Sequence, residues 1–237
     1  MRKPAVVVAG VLIPAFFFAA SIPIGATAQE KAKERVQKVL LDNDKVRVTE
    51  TTFKPGEVSP SIERPYRVTK VLQGGKTVRT YADGKVAERE FKTGEVFAAG
   101  PDKPYSTKNV SNSDIVLYTV TLKKATGMSM ISLQNKAAKA GPVDPKKPGV
   151  QVLLENDAVR VYEASIPAGA QGLNVARPYR IGRALTTATL ERDFADGKKE
   201  TVHWKAGEVR EQGPQSQYTP KNVGKSEFRI FVVEPKG

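Results

Sequence analysis

The sequence predicts an all-β protein built from two jelly-roll barrels in tandem. A shift of 113 positions places residues 39–44 on residues 152–157 and residues 64–67 on residues 177–180. A period this long indicates duplicated domains, because solenoid repeats run for roughly 20–50 residues. Within each copy, many short alternating runs are separated by turn sequences, which is typical of strands in barrels and double-sheet sandwiches.

Matching strand and turn signals occur in both copies. Residues 45–50 alternate in the first copy and residues 158–163 alternate in the second, as expected for strands. Asp-Gly pairs at residues 83–84 and 196–197 predict hairpins, because glycine supplies the positive φ that tight turns demand. Each copy ends in an apolar strand, at residues 115–120 and 228–233.

The two copies are separated by a predicted linker. Residues 124–148 are rich in Lys, Ala, Gly and Pro, a composition typical of connecting segments. The predicted barrels therefore occupy residues 36–123 and 149–236. Helical periodicity is weak and confined to residues 31–39 and 132–140.

The N-terminus predicts export. A positively charged start precedes an apolar run that ends at Ala26-Thr27-Ala28, the pattern of a secretory signal peptide spanning residues 1–28. The alternative is an uncleaved anchor, because the run approaches the roughly 20 residues that span a bilayer. Pro14 and Pro23 favour cleavage. We therefore expect a bacterial periplasmic protein with no stable membrane insertion once the segment is removed.

Composition limits the chemistry and the partners. The chain has no Cys and one His, His203, which excludes thiolate catalysis and disulfides and removes the commonest ligands of first-row metals. Its formal net charge is +13, which favours anionic partners such as acidic small molecules or an anionic envelope surface. A solvated basic surface without a partner is the alternative. No nucleic-acid motif is recognised, so no nucleic-acid partner is expected.

The spacing of the retained residues resembles the two motifs of the cupin superfamily of small jelly-roll barrels. The first family motif runs from a Gly through His-x-His and Glu to a closing Gly. The second runs from a Gly through Pro-x-Gly and His to an Asn. In the first copy Gly56 and Gly75 bound the first motif, while Gly94 and Asn109 bound the second. The second copy has Gly169, Ala188, Gly207 and Asn222 at these places.

The resemblance implies a bicupin whose metal ligands have been replaced. The family's His, His, Glu and His positions carry neither imidazole nor carboxylate, the groups that would hold iron, manganese, nickel or zinc. In the first copy these four positions hold Ile62, Arg64, Val68 and Tyr105. In the second copy they hold Val175, Arg177, Ile181 and Tyr218. The alignment of the Glu position, at Val68 and Ile181, is approximate. We therefore expect no metal and no cofactor.

Both copies replace the metal ligands in the same way. The resemblance implies that Arg64 and Tyr105 point inward, and an inward guanidinium is costly unless an anion pairs with it. We therefore expect a pocket for a carboxylate, sugar acid or phosphate, clamped by Arg and supported by a Tyr hydroxyl. The candidate ligand-binding residues are Arg64, Tyr66, Tyr105, Arg177, Tyr179 and Tyr218.

Two of these tyrosines have a separate expected role, and several neighbours are expected to be structural. Tyr66 and Tyr179 are candidates for stacking on a ligand ring, whereas Arg67 and Arg180 are expected to face out or rim the mouth. Asn109 and Asn222 are expected to stabilise turns or strands. His203 is expected in solvent, with Trp204 and Phe91 in the core.

Three functions remain open at this point. The first is an exported, metal-free protein that binds a small anion in one or both barrels. The second is a structural or interaction module with filled barrels, in which Arg64 and Arg177 fasten the core. The third, less favoured, is a metal-independent sugar isomerase or epimerase that uses the tyrosines as acids and bases. No catalytic residue is assigned.

Overall fold

The computed structural model describes residues 36–124 and 147–236, and all the secondary-structure elements in these ranges are β-strands. These ranges contain eighteen β-strands, and no helix in them is long and apolar enough to cross a membrane. The predicted all-β, two-barrel class is confirmed. The predicted signal peptide, the helical segment at 132–140 and nearly all of the predicted linker lie outside the described residues. The weak helical signal at 31–39 was misleading, because its described part forms a strand.

The first barrel consists of nine strands that form two antiparallel sheets. The orders are β1-β2-β9-β4-β7 and β3-β8-β5-β6. The strands are β1 (Val36–Asp42), β2 (Val46–Phe53), β3 (Ile62–Arg64), β4 (Arg67–Gln73), β5 (Gly75–Tyr81), β6 (Val86–Phe91), β7 (Val96–Ala99), β8 (Asp102–Asn109) and β9 (Ile115–Leu122).

The second barrel repeats the first strand for strand. Its sheets have the orders β10-β11-β18-β13-β16 and β12-β17-β14-β15, so every pairing of the first barrel recurs. The strands are β10 (Gly149–Glu155), β11 (Val159–Ile166), β12 (Val175–Arg177), β13 (Arg180–Ala184), β14 (Ala188–Phe194), β15 (Lys199–Trp204), β16 (Val209–Gln212), β17 (Gln215–Asn222) and β18 (Phe228–Pro235).

The predicted hairpins are confirmed. β5 pairs with β6 and β14 with β15, and the connecting loops contain Gly84 and Gly197. Both glycines have φ above 80°, a conformation that costs other residues steric strain. Each loop spans four residues between the strand ends, so it is longer than the two-residue turn that an Asp-Gly pair favours.

The five-stranded sheets of the two barrels pack against each other. Alternation along β2 points Val46 and Val48 toward the partner barrel, while Arg47 and Thr49 line the interior of their own barrel. Each fully buried Val or Ile contributes about 1.5–3 kcal/mol, so this apolar layer dominates the association. The shared cluster includes Val46, Val48, Val68 and Val120 from the first barrel and Val159, Val161, Ile181 and Val233 from the second.

Two ion pairs cross the interface in a pattern that follows the repeat. Lys70 Nζ lies 2.7 Å from Glu163 Oε1, and Arg183 Nη2 lies 2.9 Å from Glu50 Oε2. The repeat relates Lys70 to Arg183 and Glu50 to Glu163, so the two pairs are copies of one contact. Arg229 Nη2 adds a second partner for Glu163, at 2.8 Å. Both barrels thus contribute equally to the polar part of their interface.

Replacing Glu163 with Gln should lower the free energy of unfolding at pH 7 by about 1–3 kcal/mol, the scale of hydrogen bonds to a charged group. Burial alone would raise the pKa of Glu163, but Lys70 and Arg229 outweigh it and hold that pKa below its usual range. The ionised form therefore stabilises the fold above the unfolded pKa of about 4.3, and this contribution is lost as pH falls through the lower folded value.

Urea unfolding of the wild type and the variant between pH 7 and about pH 3 tests this. The stability difference should shrink toward acid pH. The exposed Glu90→Gln variant is the control, since Glu90 makes no ion pair with any described residue, and it should match the wild type throughout. A difference for Glu163→Gln that does not change with pH would contradict the assignment.

Candidate functional site

The first barrel encloses a cavity of about 410 Å³. Much of its wall is made by threonines, which are small enough to leave space in the barrel. Among the described residues, the threonines in the wall are Thr49, Thr51, Thr69, Thr77, Thr107, Thr119 and Thr121. The cavity falls within the 300–1,000 Å³ range of small-molecule sites.

The cavity is polar at one end and apolar at the other. On three neighbouring strands of the five-stranded sheet, Arg47 lies opposite Thr121, and Thr121 lies opposite Arg67. These three residues mark the charged end of the cavity. Farther along the same strands, Thr51 pairs with Leu117 and then Phe53 pairs with Ile115.

The four-stranded sheet has the same gradient. Tyr81 pairs with Tyr105, and then Arg79 pairs with Thr107 one step deeper. Gly75 and Phe91 pair at the opposite end, where Phe91 packs beside Phe53 and Ile115. The two sheets therefore bring arginines together at one end of the cavity and hydrophobic side chains together at the other.

Arg67 points into the cavity, which corrects the expectation that it faces out. Its Nη2 donates to Asp102 Oδ2 at 2.8 Å and to the Tyr105 hydroxyl at 3.1 Å, and its Nη1 donates to the Pro65 carbonyl at 3.1 Å. These contacts fix the guanidinium in place before any ligand arrives. Arg180 of the second barrel points inward in the same way.

Tyr105 lies in the cavity wall, as the sequence predicts. Its hydroxyl accepts a hydrogen bond from Arg67, so the hydroxyl proton is left to donate elsewhere. Arg64 packs on the Tyr105 ring, with its guanidinium carbon 3.9 Å from the ring centroid. Arg64 also donates to the carbonyls of Ile62 and Tyr105 at 3.0 and 2.6 Å and to the Ser59 hydroxyl at 3.1 Å. It lines the cavity while fastening β3 to β8.

Arg79 is the cavity residue that sequence reasoning missed. Its guanidinium carbon lies 4.8 Å from the Tyr105 ring centroid. The Arg79 side chain makes no hydrogen bond or ion pair with any described residue, and its Nε is buried without a partner. The adjacent Arg89 is paired with Glu95 and packs over Phe91, with its guanidinium carbon 4.8 Å from the ring centroid. Arg79 instead brings a positive charge to the cavity wall without a carboxylate partner among the described residues.

The second barrel is nearly filled, with a residual cavity of about 90 Å³. Larger side chains occupy four of the seven positions where the first barrel has threonine, whereas Thr51 and Thr69 are replaced by Ala164 and Gly182. Trp204 packs beside Gly182, where a Cβ would lie 2.8 Å from Ile230 Cδ1 and 3.5 Å from Trp204 Cη2. The replacements for Thr49, Thr77, Thr107 and Thr119 are Tyr162, Leu190, Pro220 and Val232.

The arginines of the second barrel have protein partners. Arg180 donates to Gln212, to Gln215 Oε1 at 2.6 Å and to the Tyr218 hydroxyl at 3.2 Å. Arg177 donates to the carbonyls of Val175 and Tyr218 at 2.8 and 3.1 Å and packs 3.9 Å from the Tyr218 ring centroid. Burial lowers the pKa of both arginines. Tyr218 thus lies inside its barrel as predicted, but in a packed setting.

Tyr66 and Tyr179 lie at the barrel–barrel interface, which corrects the expectation that they flank the pocket. The Tyr66 hydroxyl accepts from Asn156 Nδ2 at 2.7 Å, and the Tyr179 hydroxyl accepts from Asn43 Nδ2 at 3.2 Å. The repeat relates these two contacts to each other. Burial raises the pKa of Tyr66 and raises that of Tyr179 to about 12. Their retention in both copies follows from the interface.

The residues at the family's metal positions do not fit a metal ion. Ile62 is largely exposed, and Val68 is buried in the interface rather than in the cavity; its neighbour Thr69 lines the wall instead. Arg64 and Tyr105 complete the set, and neither is a ligand for a divalent metal. In residues 36–124 and 147–236, no three His, Cys, Asp or Glu side chains form a cluster suited to a metal.

The residues expected to be structural behave as predicted. Asn109 is fully buried and donates to the carbonyls of Phe53 and Ser113, both at 2.9 Å. Asn222 makes the equivalent contacts in the second barrel. His203 is exposed, while Trp204 is buried in the core.

Comparison with known proteins identifies the fold. No protein-family model and no curated sequence matches the chain. Among solved structures, the cupin 2 conserved barrel domain protein of Leptotrichia buccalis matches with a TM-score of 0.53 and 12% identity, over 87% of this chain and 91% of the other. The oxalate decarboxylase of Lactobacillus farciminis, in a formate complex, matches with a TM-score of 0.58 and 10% identity, over 82% and 78%. AerE from Microcystis aeruginosa matches with 0.56 and 12%, over 86% and 98%.

The chain therefore has the cupin fold. Its described residues form two barrels of this fold in tandem, of which the first is hollow and the second is packed. At these identities the likeness carries the fold alone.

Replacing Trp204 with Ala should lower the free energy of unfolding by about 3–5 kcal/mol, because it opens a hole in a packed core. Phe91 occupies the equivalent position in the first barrel and borders an existing cavity, so Phe91→Ala removes fewer contacts and should cost less. Urea unfolding of both variants measures this. Equal costs would mean that the two barrels are packed alike and would contradict the asymmetry.

Proposed function

We propose that the chain is an exported, metal-free bicupin whose first barrel binds a small anionic ligand such as a carboxylate, a sugar acid or a phosphate. The second barrel serves as a packed structural partner. The observation that carries the proposal is Arg79, a guanidinium in the cavity wall with no hydrogen-bond or ion-pair partner among the described residues. Arg79 is half-buried with its Nε enclosed, so an anion in the cavity would supply the partner that the described protein groups do not.

The charge balance of the wall supports an anion. Arginines dominate the charged residues that line the cavity, and the one acidic residue among the described lining is the exposed Glu63. Asp102 pairs with Arg67 and Asp42 with Arg47, at 2.8 and 3.7 Å. The arginines in the wall are Arg47, Arg64, Arg67 and Arg79.

The proposed mechanism is binding by groups that are already in position. Asp102 and the Pro65 carbonyl hold Arg67, so little side-chain freedom is lost when it contacts a ligand. Arg79 supplies the unpaired charge, and the Tyr105 hydroxyl supplies a further donor. Charge-assisted hydrogen bonds of this type are the stronger ones in proteins. Arg64 lies at the rim of the cavity, where its hydrogen bonds to the Tyr105 carbonyl and the Ser59 hydroxyl connect β3 to its neighbours.

The interaction-module alternative is supported in the second barrel, where Trp204 and Tyr162 fill the space and Arg177 fastens β12 to β17. The isomerase alternative loses support, because Tyr66 and Tyr179 face the interface with raised pKa values. The oxalate decarboxylases among the similar structures share the fold with this chain. Their chemistry is not transferred, since the metal positions here hold unsuitable residues.

Protein purified from a bacterial periplasm should begin at Gln29, because signal-peptide cleavage is expected after Ala28. It should also carry no stoichiometric metal, because the side chains at the metal positions are poor ligands. Intact mass and elemental analysis measure these two properties. An uncleaved chain would contradict export with cleavage, and stoichiometric iron, manganese or nickel would overturn the metal-free assignment.

Replacing Arg79 with Met should weaken binding of an anionic ligand by about 10- to 100-fold, the loss expected for a hydrogen bond to a charged group. A thermal-shift screen with hexanoate, succinate, gluconate and inorganic phosphate provides the measurement. A ligand at about 100 times its Kd should stabilise the fold by roughly 2.7 kcal/mol.

Arg192→Met is the matched control, because Arg192 occupies the equivalent position in the packed barrel. It should leave any ligand-induced shift unchanged. The proposal fails if no anion raises the melting temperature, or if Arg79→Met responds to the ligand as fully as the wild type.

A further inference from the structure

The residues that line the first barrel's cavity are charged at one end and apolar at the other. The charged end holds Arg67, which donates to the Tyr105 hydroxyl, and Arg79, whose guanidinium carbon lies 4.8 Å from the Tyr105 ring centroid. The other end holds Phe53, Phe91, Ile115 and Leu117. Arg89 packs over Phe91 there, but it is paired with Glu95 at 3.0 Å and is not among the residues that line the cavity.

The exposed residues Ile62 and Glu63 lie with the arginines at the charged end, so that end is the mouth. A ligand therefore meets charge first and apolar surface last.

The hydroxyls of the middle region do not require a polar ligand. Thr69 Oγ1 and Thr119 Oγ1 lie 3.3 Å apart and bond to each other. The Thr77 hydroxyl donates to the Arg89 carbonyl at 3.1 Å. Thr51 accepts from Gln37 Nε2 at 3.2 Å. A non-polar ligand body can pass this region without leaving these hydroxyls unpartnered.

The size of the inner face exceeds that of the smallest candidate anions. On β2, Arg47 and Phe53 are six residues apart, which is about 20 Å in a strand. Oxalate or inorganic phosphate would occupy only the charged end and leave the apolar end unused. A sugar acid or a dicarboxylate would place hydroxyls or a second charge against Phe53 and Ile115, where they find no partner.

We infer that the ligand of the first barrel is an amphiphilic monoanion, with one carboxylate at the mouth and an apolar body directed toward Phe53 and Phe91. This inference rests on the proposed function and narrows its ligand class. The carboxylate is held by Arg67, Arg79 and Tyr105. The apolar body replaces water over the hydrophobic end, which is favourable in proportion to the area buried.

Isothermal titration of the purified protein with butanoate, hexanoate, octanoate and decanoate tests the inference. Affinity should rise by about fourfold per methylene until the cavity is filled. Octanedioate should bind at least tenfold more weakly than octanoate, and gluconate should bind more weakly than hexanoate. Arg79→Met should weaken all the monocarboxylates by a similar factor.

Filling variants based on the second barrel locate the apolar body. Thr77→Leu and Thr49→Tyr introduce the residues that the packed barrel has at these positions. Each should lower the affinity for decanoate more than that for butanoate, because the charged end stays intact. Circular dichroism verifies that each variant is folded, and two separate positions keep the test decisive if one variant is unstable.

The outcomes separate the inference from the proposed function. Binding of gluconate or phosphate without any gain from longer chains would overturn the amphiphilic ligand and leave anion binding standing. Octan-1-ol binding as tightly as octanoate would overturn the carboxylate contact and the proposed function with it. No binding of any of these probes would overturn both.

Discussion

The burial of both faces of the five-stranded sheets is the constraint on which this molecule depends. One face of each sheet packs against the partner barrel, and the other encloses that barrel's own interior. Because side chains alternate along a strand, every residue on β2 belongs to one face or the other. A slip of one residue would place Arg47 and Thr49 in the interface and turn Val46 and Val48 into the cavity. The apolar interface therefore fixes the orientation of the cavity wall.

Duplication placed different demands on the two faces. The interface joins equivalent surfaces, so a contact such as Tyr66 with Asn156 has a counterpart in Tyr179 with Asn43. The interiors have no such relation to each other. One barrel has kept threonines and space, while the other contains Tyr162 and little space. The shared Tyr66 and Tyr179 thus follow from the interface, whereas differences such as Thr49 against Tyr162 decide which barrel keeps a cavity.

The arginines show how packing decides whether a charge is available. Arg180 and Arg67 occupy equivalent positions in the two barrels. Arg180 donates hydrogen bonds to Gln212 and Gln215 in a packed interior. Arg67 is held by Asp102 and Tyr105 beside the open cavity. Arg79 has neither arrangement, and its charge faces the cavity. The same residue type therefore fastens one barrel and prepares a site in the other, and the difference lies in the surrounding volume.

The sequence by itself determined the duplication, the strand-rich barrels, the hairpins and the unsuitability of the metal positions, because these follow from local periodicity and spacing. It placed Tyr105 in the cavity but exchanged the roles of Tyr66 and Arg67. Alternation requires such neighbours to face opposite ways, yet both faces of this sheet are buried, so hydrophobicity cannot tell which face is which. Only the tertiary structure decided which face of the sheet lines the cavity and that the Arg79 side chain has no partner among the described residues. It also decided which barrel is filled, because the volume of a cavity depends on side chains from many strands.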